Sequence, residues 1–171
     1  MSSIPGSGSS SDLRISTPTD TTILLTRTFN APRRMVWEAM TNPDKMKRWM
    51  LPPPGWVLSV CDCDARVAGA LRLVWKNEQG DQSLSLNGVF SEVARHERMV
   101  HTELMLMGAD QVIGSQVETH EFVDKGSAAT TMRITQVYVS KEARDGALGS
   151  GMEVGMEAGY LELDAVLARG F

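Results

Sequence analysis

Cysteine is scarce in this chain, which has two among 171 residues, Cys61 and Cys63. They lie two positions apart on a predicted strand, so they share a face at a spacing that would strain a disulfide. Free thiols are typical of a reducing cytosol, and we expect both cysteines to be reduced. A metal site at the pair would need further ligands, so no metal is assigned.

The chain also lacks an excess of positive charge, long apolar runs and known catalytic motifs. The formal net charge is −4, and a mildly acidic protein has no general attraction for nucleic acid. No apolar run reaches the roughly 18 residues that a membrane-spanning helix needs. The N-terminus lacks the layout of a secretory signal, so we expect a cytoplasmic protein. No nucleophile elbow, phosphate loop, zinc-protease helix or dinucleotide fingerprint is present, so we expect no cofactor and lean away from an enzyme.

The start of the chain differs in composition from the remainder. Residues 1–20 are rich in Ser, Gly and Pro and show no periodicity, which predicts a disordered tail. Residues 21–171 are predicted to form one domain. A strand is predicted at Thr22–Phe29, and the helical spacing and proline positions that follow it predict short helices at Arg33–Met40 and Pro43–Trp49.

The middle of the chain alternates short β-rich runs with turn residues, which is typical of an antiparallel meander. A glycine-interrupted helix follows to the C-terminus, and its glycines indicate close approach of a sheet or a ligand. This order predicts an α+β helix-grip fold: a curved antiparallel sheet of about seven strands around a long C-terminal helix, with a cavity between them. The six predicted strands of the meander lie near Val57–Asp64, Ala70–Asn77, Leu84–Val93, Met99–Leu106, Gln116–Asp124 and Ala128–Val139.

Five short motifs occur in one order along the chain. They are Phe29-Asn30-Ala31-Pro32 leading to Val36-Trp37; Thr41-Asn42-Pro43 followed by Trp49; Asp64-Ala65-Arg66-Val67-Ala68-Gly69; Gly88-Val89-Phe90 with Glu97-Arg98-Met99-Val100; and Gly151-Met152-Glu153 to Gly155-Met156-Glu157-Ala158-Gly159-Tyr160.

With these motifs the chain resembles the SRPBCC superfamily, also called START-like or helix-grip. Within that superfamily it resembles the activator of heat-shock-protein-90 ATPase homologue-like family, over about Ile23 to Leu167. One departure is Ala68-Gly69, where the family usually has two glycines. The resemblance implies binding of an apolar small molecule in the cavity. A minority of the superfamily catalyse cyclisation or hydrolysis, and only some relatives act as co-chaperones, so a chaperone is a possible partner and the oligomeric state stays open.

Apolar side chains of the predicted sheet and helices should gather on the concave face of the sheet. Eleven methionines are many for this length, and methionine adapts to varied apolar partners. Such residues could form only a core, but those near the cavity would contact a lipid-like or aromatic ligand. The predicted ligand-binding residues are Trp49, Trp56, Leu73, Trp75, Leu86, Phe90, Met132, Ile134, Met152 and Met156.

A polar alternative concerns His101 and Glu103 on one predicted strand, and Glu118 and His120 on another. If both faces point inward, the four side chains could form an acid/base pair or a metal site, and the protein could be a cyclase-like or hydrolytic enzyme. If they point outward, residues such as Leu104 turn inward instead. Because the second arrangement puts more apolar area in the core, it is the favoured prediction.

Overall fold

The computed structural model describes residues 12–171, which form one curved, open antiparallel sheet covered by helices. The strands lie in the order β1-β2-β8-β7-β6-β5-β4-β3, so β1 and β3 are the sheet edges. The predicted α+β helix-grip fold is confirmed, with eight strands instead of about seven. The strands are β1 (Arg14–Thr19), β2 (Thr22–Phe29), β3 (Trp56–Cys63), β4 (Ala70–Asn77), β5 (Ser83–Ala94), β6 (Arg98–Met107), β7 (Gln111–Lys125) and β8 (Ala129–Tyr138).

The additional strand, β1, corrects the predicted disordered tail. β1 pairs antiparallel with β2, with Arg14 opposite Thr26, and Leu13 just before it is buried. Its side chains are mostly exposed, so the strand depends on main-chain hydrogen bonds and shows little hydrophobic periodicity. Order therefore begins before Thr21, while residues 1–11 of the predicted tail lie outside the described residues.

Two short helices, α1 (Arg33–Thr41) and α2 (Pro43–Met46), connect β2 to β3. The side chain of Asn42 accepts hydrogen bonds from the first backbone N–H groups of α2, as its position before Pro43 predicts. α2 ends at Met46, three residues before the predicted end. On α1, Trp37 is buried and packs edge-on against Phe122 of β7, with ring centroids 5.3 Å apart.

The C-terminal helical region consists of two helices, α3 (Lys141–Gly149) and α4 (Met152–Arg169). No element is predicted for the α3 segment. Ser140 caps α3 by accepting a hydrogen bond from the Ala143 N–H at 3.1 Å. Gly151 separates the helices at φ +81°, a left-handed conformation that glycine adopts without the steric cost of a Cβ. Among residues 12–171, no helix is long and apolar enough to cross a membrane.

A buried ion pair ties α4 to the sheet. The guanidinium of Arg27, on β2, is almost fully buried and donates two hydrogen bonds to Asp164, at 2.6 and 3.0 Å. Glu157 lies 3.5 Å from the same guanidinium. The rings of Phe29 and Tyr160 flank it, with centroids 4.7 and 5.7 Å away. These contacts hold α4 over the concave face of the sheet and so position one wall of the cavity described next.

Candidate ligand-binding cavity

A cavity of about 640 Å³ lies between the concave face of the sheet and the helices. The strands β4 to β8 form one side of it, and the ends of α1 and α2, the segment after α2, α3 and α4 form the other. The side chains on the sheet side include Leu71, Leu73, Trp75, Leu86, Phe90, Met99, His101, Glu103, Met105, Gln116, Glu118, His120, Gln136 and Tyr138, and those on the helical side include Met40, Met46, Trp49, Met50, Leu51, Ala143, Ala147, Met152, Met156 and Tyr160.

Most of the predicted ligand-binding residues line this cavity, but three do not. Trp56 is the first residue of β3, at the sheet edge, where it is half-buried. Met132 and Ile134 are buried on β8, a strand that α1 and α3 contact, so they belong to the core. Ligand binding by the remaining seven stays a prediction. They are Trp49, Leu73, Trp75, Leu86, Phe90, Met152 and Met156.

Methionine is concentrated at the cavity. Seven of the eleven methionines line it: four lie on the helices α1, α2 and α4, two on strand β6, and one on the segment after α2. An unbranched thioether side chain changes rotamer at little cost, so such walls adjust to ligands of different shape. The lining methionines are Met40, Met46, Met50, Met99, Met105, Met152 and Met156.

One face of α4 turns its small residues toward the cavity. Met152, Gly155, Met156 and Gly159 lie at the three- and four-residue spacing of a single helical face, and all line the cavity. A Cβ on Gly159 would lie 3.6 Å from the Trp49 ring, an ordinary van der Waals contact, so the ring packs against this turn of α4 without requiring a glycine there. A Cβ on Gly155 would meet nothing within 4 Å. Trp49 therefore packs near α4 at Gly159, and at Gly155 the helix places no side chain in the cavity.

The polar side chains of β6 and β7 face the cavity, so the favoured prediction that they face water is wrong. His101 is only 2% exposed, and Glu103, Glu118 and His120 are each 7% exposed. Leu104, predicted to turn inward, is 37% exposed. Counting apolar residues failed because the convex face of this sheet carries apolar side chains too. The informative signal was that Met99 on β6 and Phe122 on β7, both buried, share the faces of the histidines and glutamates.

Hydrogen bonds connect these side chains into a cluster. His101 on β6 stands directly opposite Glu118 on β7. The Nε2 atom of His120 lies 2.5 Å from one oxygen of Glu118. Gln136 of β8 donates to the other Glu118 oxygen at 2.7 Å, and the Tyr138 hydroxyl donates to the Gln136 carbonyl at 3.0 Å. Glu118 is thus held from both sides in one orientation.

The two carboxyl groups of the cluster are pushed toward opposite protonation states. Burial by itself would raise the pKa of Glu118, but hydrogen bonds from His120 and Gln136 and the nearness of both histidines lower that pKa to about 2. Burial raises the pKa of Glu103 well above its usual value, and the charge of Glu118 raises it further. Burial also lowers the pKa of His101. These shifts favour the ionised form of Glu118, the protonated form of Glu103 and the neutral form of His101.

Comparison with known proteins identifies the family. Residues 30–168 match the family model described as Activator of Hsp90 ATPase homolog 1-like protein. The chain belongs to this family. The match runs from the end of β2 to the end of α4 and so includes every strand that lines the cavity. No curated protein matches the chain.

Solved structures of similar proteins support the same fold. A protein from Rhodobacter sphaeroides is 26% identical, with a TM-score of 0.83 over 93% of this chain and 99% of its own. Protein Ms6760 from Mycobacterium smegmatis is 19% identical, with a TM-score of 0.75 over 90% of this chain and 95% of its own. Protein NE0264 from Nitrosomonas europaea is 22% identical, with a TM-score of 0.74 over 90% and 97%. At these identities the last two show the fold alone.

Proposed function

We propose that this protein binds a small, mostly apolar molecule, lipid-like or aromatic, in the cavity between the sheet and α4. The observation that carries the proposal is the cavity itself: about 640 Å³, with apolar walls and one cluster of polar groups. Pockets for small organic ligands usually enclose roughly 300–1,000 Å³ and combine apolar walls with a few polar groups. The volume and the lining both fit that class.

The apolar walls would supply most of the affinity. Burial of apolar surface contributes about 25 cal/mol per Å², so contact with Trp49, Trp75 and the methionines can hold a ligand that carries no charge. The methionines favour a range of ligand shapes over one rigid shape. The lining therefore supports lipid-like or aromatic ligands as a class.

The polar cluster would orient the ligand. A protonated Glu103 is able to donate a hydrogen bond, whereas the ionised Glu118 only accepts. A ligand with one polar end, such as a hydroxyl or carbonyl group, would place that end at the cluster and its apolar body against the walls. The alternative orientation would leave the buried carboxyl groups facing hydrocarbon, which is unfavourable.

A second candidate function is acid/base catalysis, as in a cyclase-like or hydrolytic enzyme. It is favoured by the two carboxyl groups whose pKa values are displaced in opposite directions, an arrangement that lets one group act as an acid and the other as a base. Conversion of a bound compound by the wild-type protein, abolished in Glu118→Gln, would establish this function. A bound compound that is recovered unchanged would favour simple binding.

The first test is to purify the protein, denature it and analyse the released small molecules by mass spectrometry. A stoichiometric apolar compound would support the proposal and identify the ligand class. Binding of that compound, or of fluorescent fatty-acid and aromatic probes, can be followed by quenching of Trp49 and Trp75. Failure of every probe and of lipid extracts to bind or to raise the melting temperature would refute the proposal. A pulldown with the chaperone would then test whether the protein instead acts as a chaperone-interaction domain.

A matched pair of variants locates the binding. Gly155→Phe adds a ring on the cavity face of α4, where a Cβ meets no atom within 4 Å. Gly149→Phe adds the same ring at the end of α3, at an exposed glycine that does not line the cavity. We expect Gly155→Phe to lose ligand and Gly149→Phe to retain it, with both variants folded. Equal binding by the two variants would exclude the cavity as the site.

A further inference from the structure

Three buried side chains at the sheet side of the cavity bring metal-ligating atoms together. His101, Glu118 and His120 each offer one nitrogen or oxygen atom, and these atoms lie within 4.8 Å of one another. We propose that His101, Glu118 and His120 bind a divalent first-row transition metal such as Zn²⁺. The sequence allows a metal site at this cluster only if the side chains point inward, and they do face the cavity.

The sheet fixes the arrangement of the three ligands. Glu118 and His120 are two residues apart on β7, so they point to the same side, and His101 stands directly opposite Glu118 on β6. Side chains directly opposite on adjacent strands have Cβ atoms about 4.5–5.5 Å apart. The ligands therefore project from hydrogen-bonded strands in the middle of an eight-stranded sheet, a more rigid support than a loop.

The donor set selects the class of metal. Two imidazoles and one carboxylate suit zinc, iron, cobalt or nickel, whereas magnesium and calcium favour sites made of oxygen ligands alone. Three protein ligands leave at least one coordination position open, as in catalytic and ligand-binding metal sites. Because all three residues line the cavity, that open position would face its interior.

Neighbouring protein groups orient two of the three ligands by hydrogen bonds, as the residues around metal ligands do in metalloproteins. Gln136 orients Glu118, and the Nδ1 atom of His101 lies 3.4 Å from the carbonyl oxygen of Thr102. A hydrogen bond from Nδ1–H to that carbonyl leaves Nε2 of His101 free to bind a metal.

His120 would bind the ion through Nε2, the ring nitrogen that points at Glu118. That atom lies 2.5 Å from one oxygen of Glu118, so the two ligand atoms already face each other. A metal ion held by both atoms would take the place of this hydrogen bond, with the imidazole proton on Nδ1.

The test uses the whole protein, made metal-free with a chelator and titrated with Zn²⁺ by calorimetry, with no organic ligand present. We expect one equivalent of Zn²⁺ to bind. Loss of a residue that only hydrogen-bonds a metal ligand weakens metal affinity roughly 10- to 100-fold. His101→Gln and Glu118→Gln each remove a ligand itself, so each should weaken Zn²⁺ binding by at least that much. The control is His96→Asn, which removes the remaining histidine: His96 is outside the cavity and has φ +67°, a conformation that asparagine adopts readily.

Co²⁺ absorption keeps the test decisive if a variant does not fold. Imidazole-bound Co²⁺ of low coordination number gives intense visible bands, which wild-type protein and His96→Asn should both show. Circular dichroism of each metal-free variant monitors folding. The proposal is overturned if wild type gives no such bands, if it binds Zn²⁺ no more tightly than folded His101→Gln, or if His96→Asn loses binding equally. Because no organic ligand is used, these results are independent of the proposed cavity ligand.

Discussion

The ion pair between Arg27 and Asp164 is predicted to be a main tie between α4 and the sheet. Asp164→Asn keeps the size of the side chain and removes its charge, which leaves the guanidinium of Arg27 buried with only Glu157, 3.5 Å away, as an ionic partner. The side chain of Arg27 is 1% exposed, so water cannot replace the lost carboxylate. A buried charge that loses its partner is strongly destabilising because its desolvation is no longer compensated.

The size of the effect follows from the exposure of both partners. Breaking a fully buried pair costs about 3–5 kcal/mol. The Asp164 side chain is 39% exposed and Glu157 stays nearby, so we expect a smaller loss of unfolding free energy, about 2 kcal/mol. For a chain of this size that corresponds to a fall in melting temperature of about 4–8 °C. Urea unfolding and thermal melts followed by circular dichroism would measure both quantities.

The same helix supplies a matched control. Glu162 is 38% exposed, close to the value for Asp164, but its partner Arg169 is 61% exposed and lies 3.5 Å away. Glu162→Gln should therefore change the unfolding free energy by less than about 1 kcal/mol, as is usual for exposed ion pairs. Equal losses for Asp164→Asn and Glu162→Gln would refute the argument, because the buried guanidinium would then not depend on Asp164.

Three further predictions concern strained backbone and buried thiols. Ala68 has φ +64°, a left-handed conformation that costs a residue with a Cβ about 1–2 kcal/mol. Ala68→Gly removes this strain but also makes the unfolded chain more flexible, which offsets part of the gain. The net increase in unfolding free energy, measured in urea, should be about 0.5–1 kcal/mol. A Cβ on Gly88 would lie 2.2 Å from the Thr102 carbonyl oxygen, so Gly88→Ala should lower the unfolding free energy by roughly 1–3 kcal/mol; an unchanged melting temperature would contradict that contact. Cys61 is buried and Cys63 half-buried; desolvation raises the pKa of the Cys61 thiol and raises that of Cys63 to about 12. At pH 8 both free thiols should therefore react with iodoacetamide far more slowly in the folded protein than in urea, and equal rates would contradict these raised pKa values.

The meander was predictable because its signals are local. Strand β4 was predicted with the bounds it has, Ala70–Asn77, since alternating Leu71, Leu73 and Trp75 are bounded by turn residues. Strand β1 was not, because Arg14–Thr19 buries little and depends on pairing with β2, a contact between segments that composition does not encode. The α3 helix was missed for a related reason: its segment is mostly polar, and only the capping serine marks where it begins.

The direction of the polar cluster could not be decided from the sequence, because alternation defines two faces of a strand without saying which one is covered. On β7 the inward set includes Glu118, His120 and Phe122, while Val117 and Val123 on the outward set are 43% and 49% exposed. The outward face is the more apolar at several positions, so a count of apolar residues points the wrong way. Only the position of the helices, which cover one side of the sheet, settles the direction.

The Arg27 ion pair and the Glu118–His120 pair differ in what surrounds them, and this difference distinguishes a structural contact from a candidate site. Arg27 spans from the sheet to α4 and is flanked by aromatic rings, so its role is accounted for by packing between two elements. Glu118 and His120 instead stand on one strand and face a cavity, so they join no helix to the sheet. Buried ion pairs can often be exchanged for apolar residues without loss of stability. No packing of a helix on the sheet accounts for the charge at Glu118 and His120, and the proposed recognition of a polar group or a metal ion in the cavity would account for it.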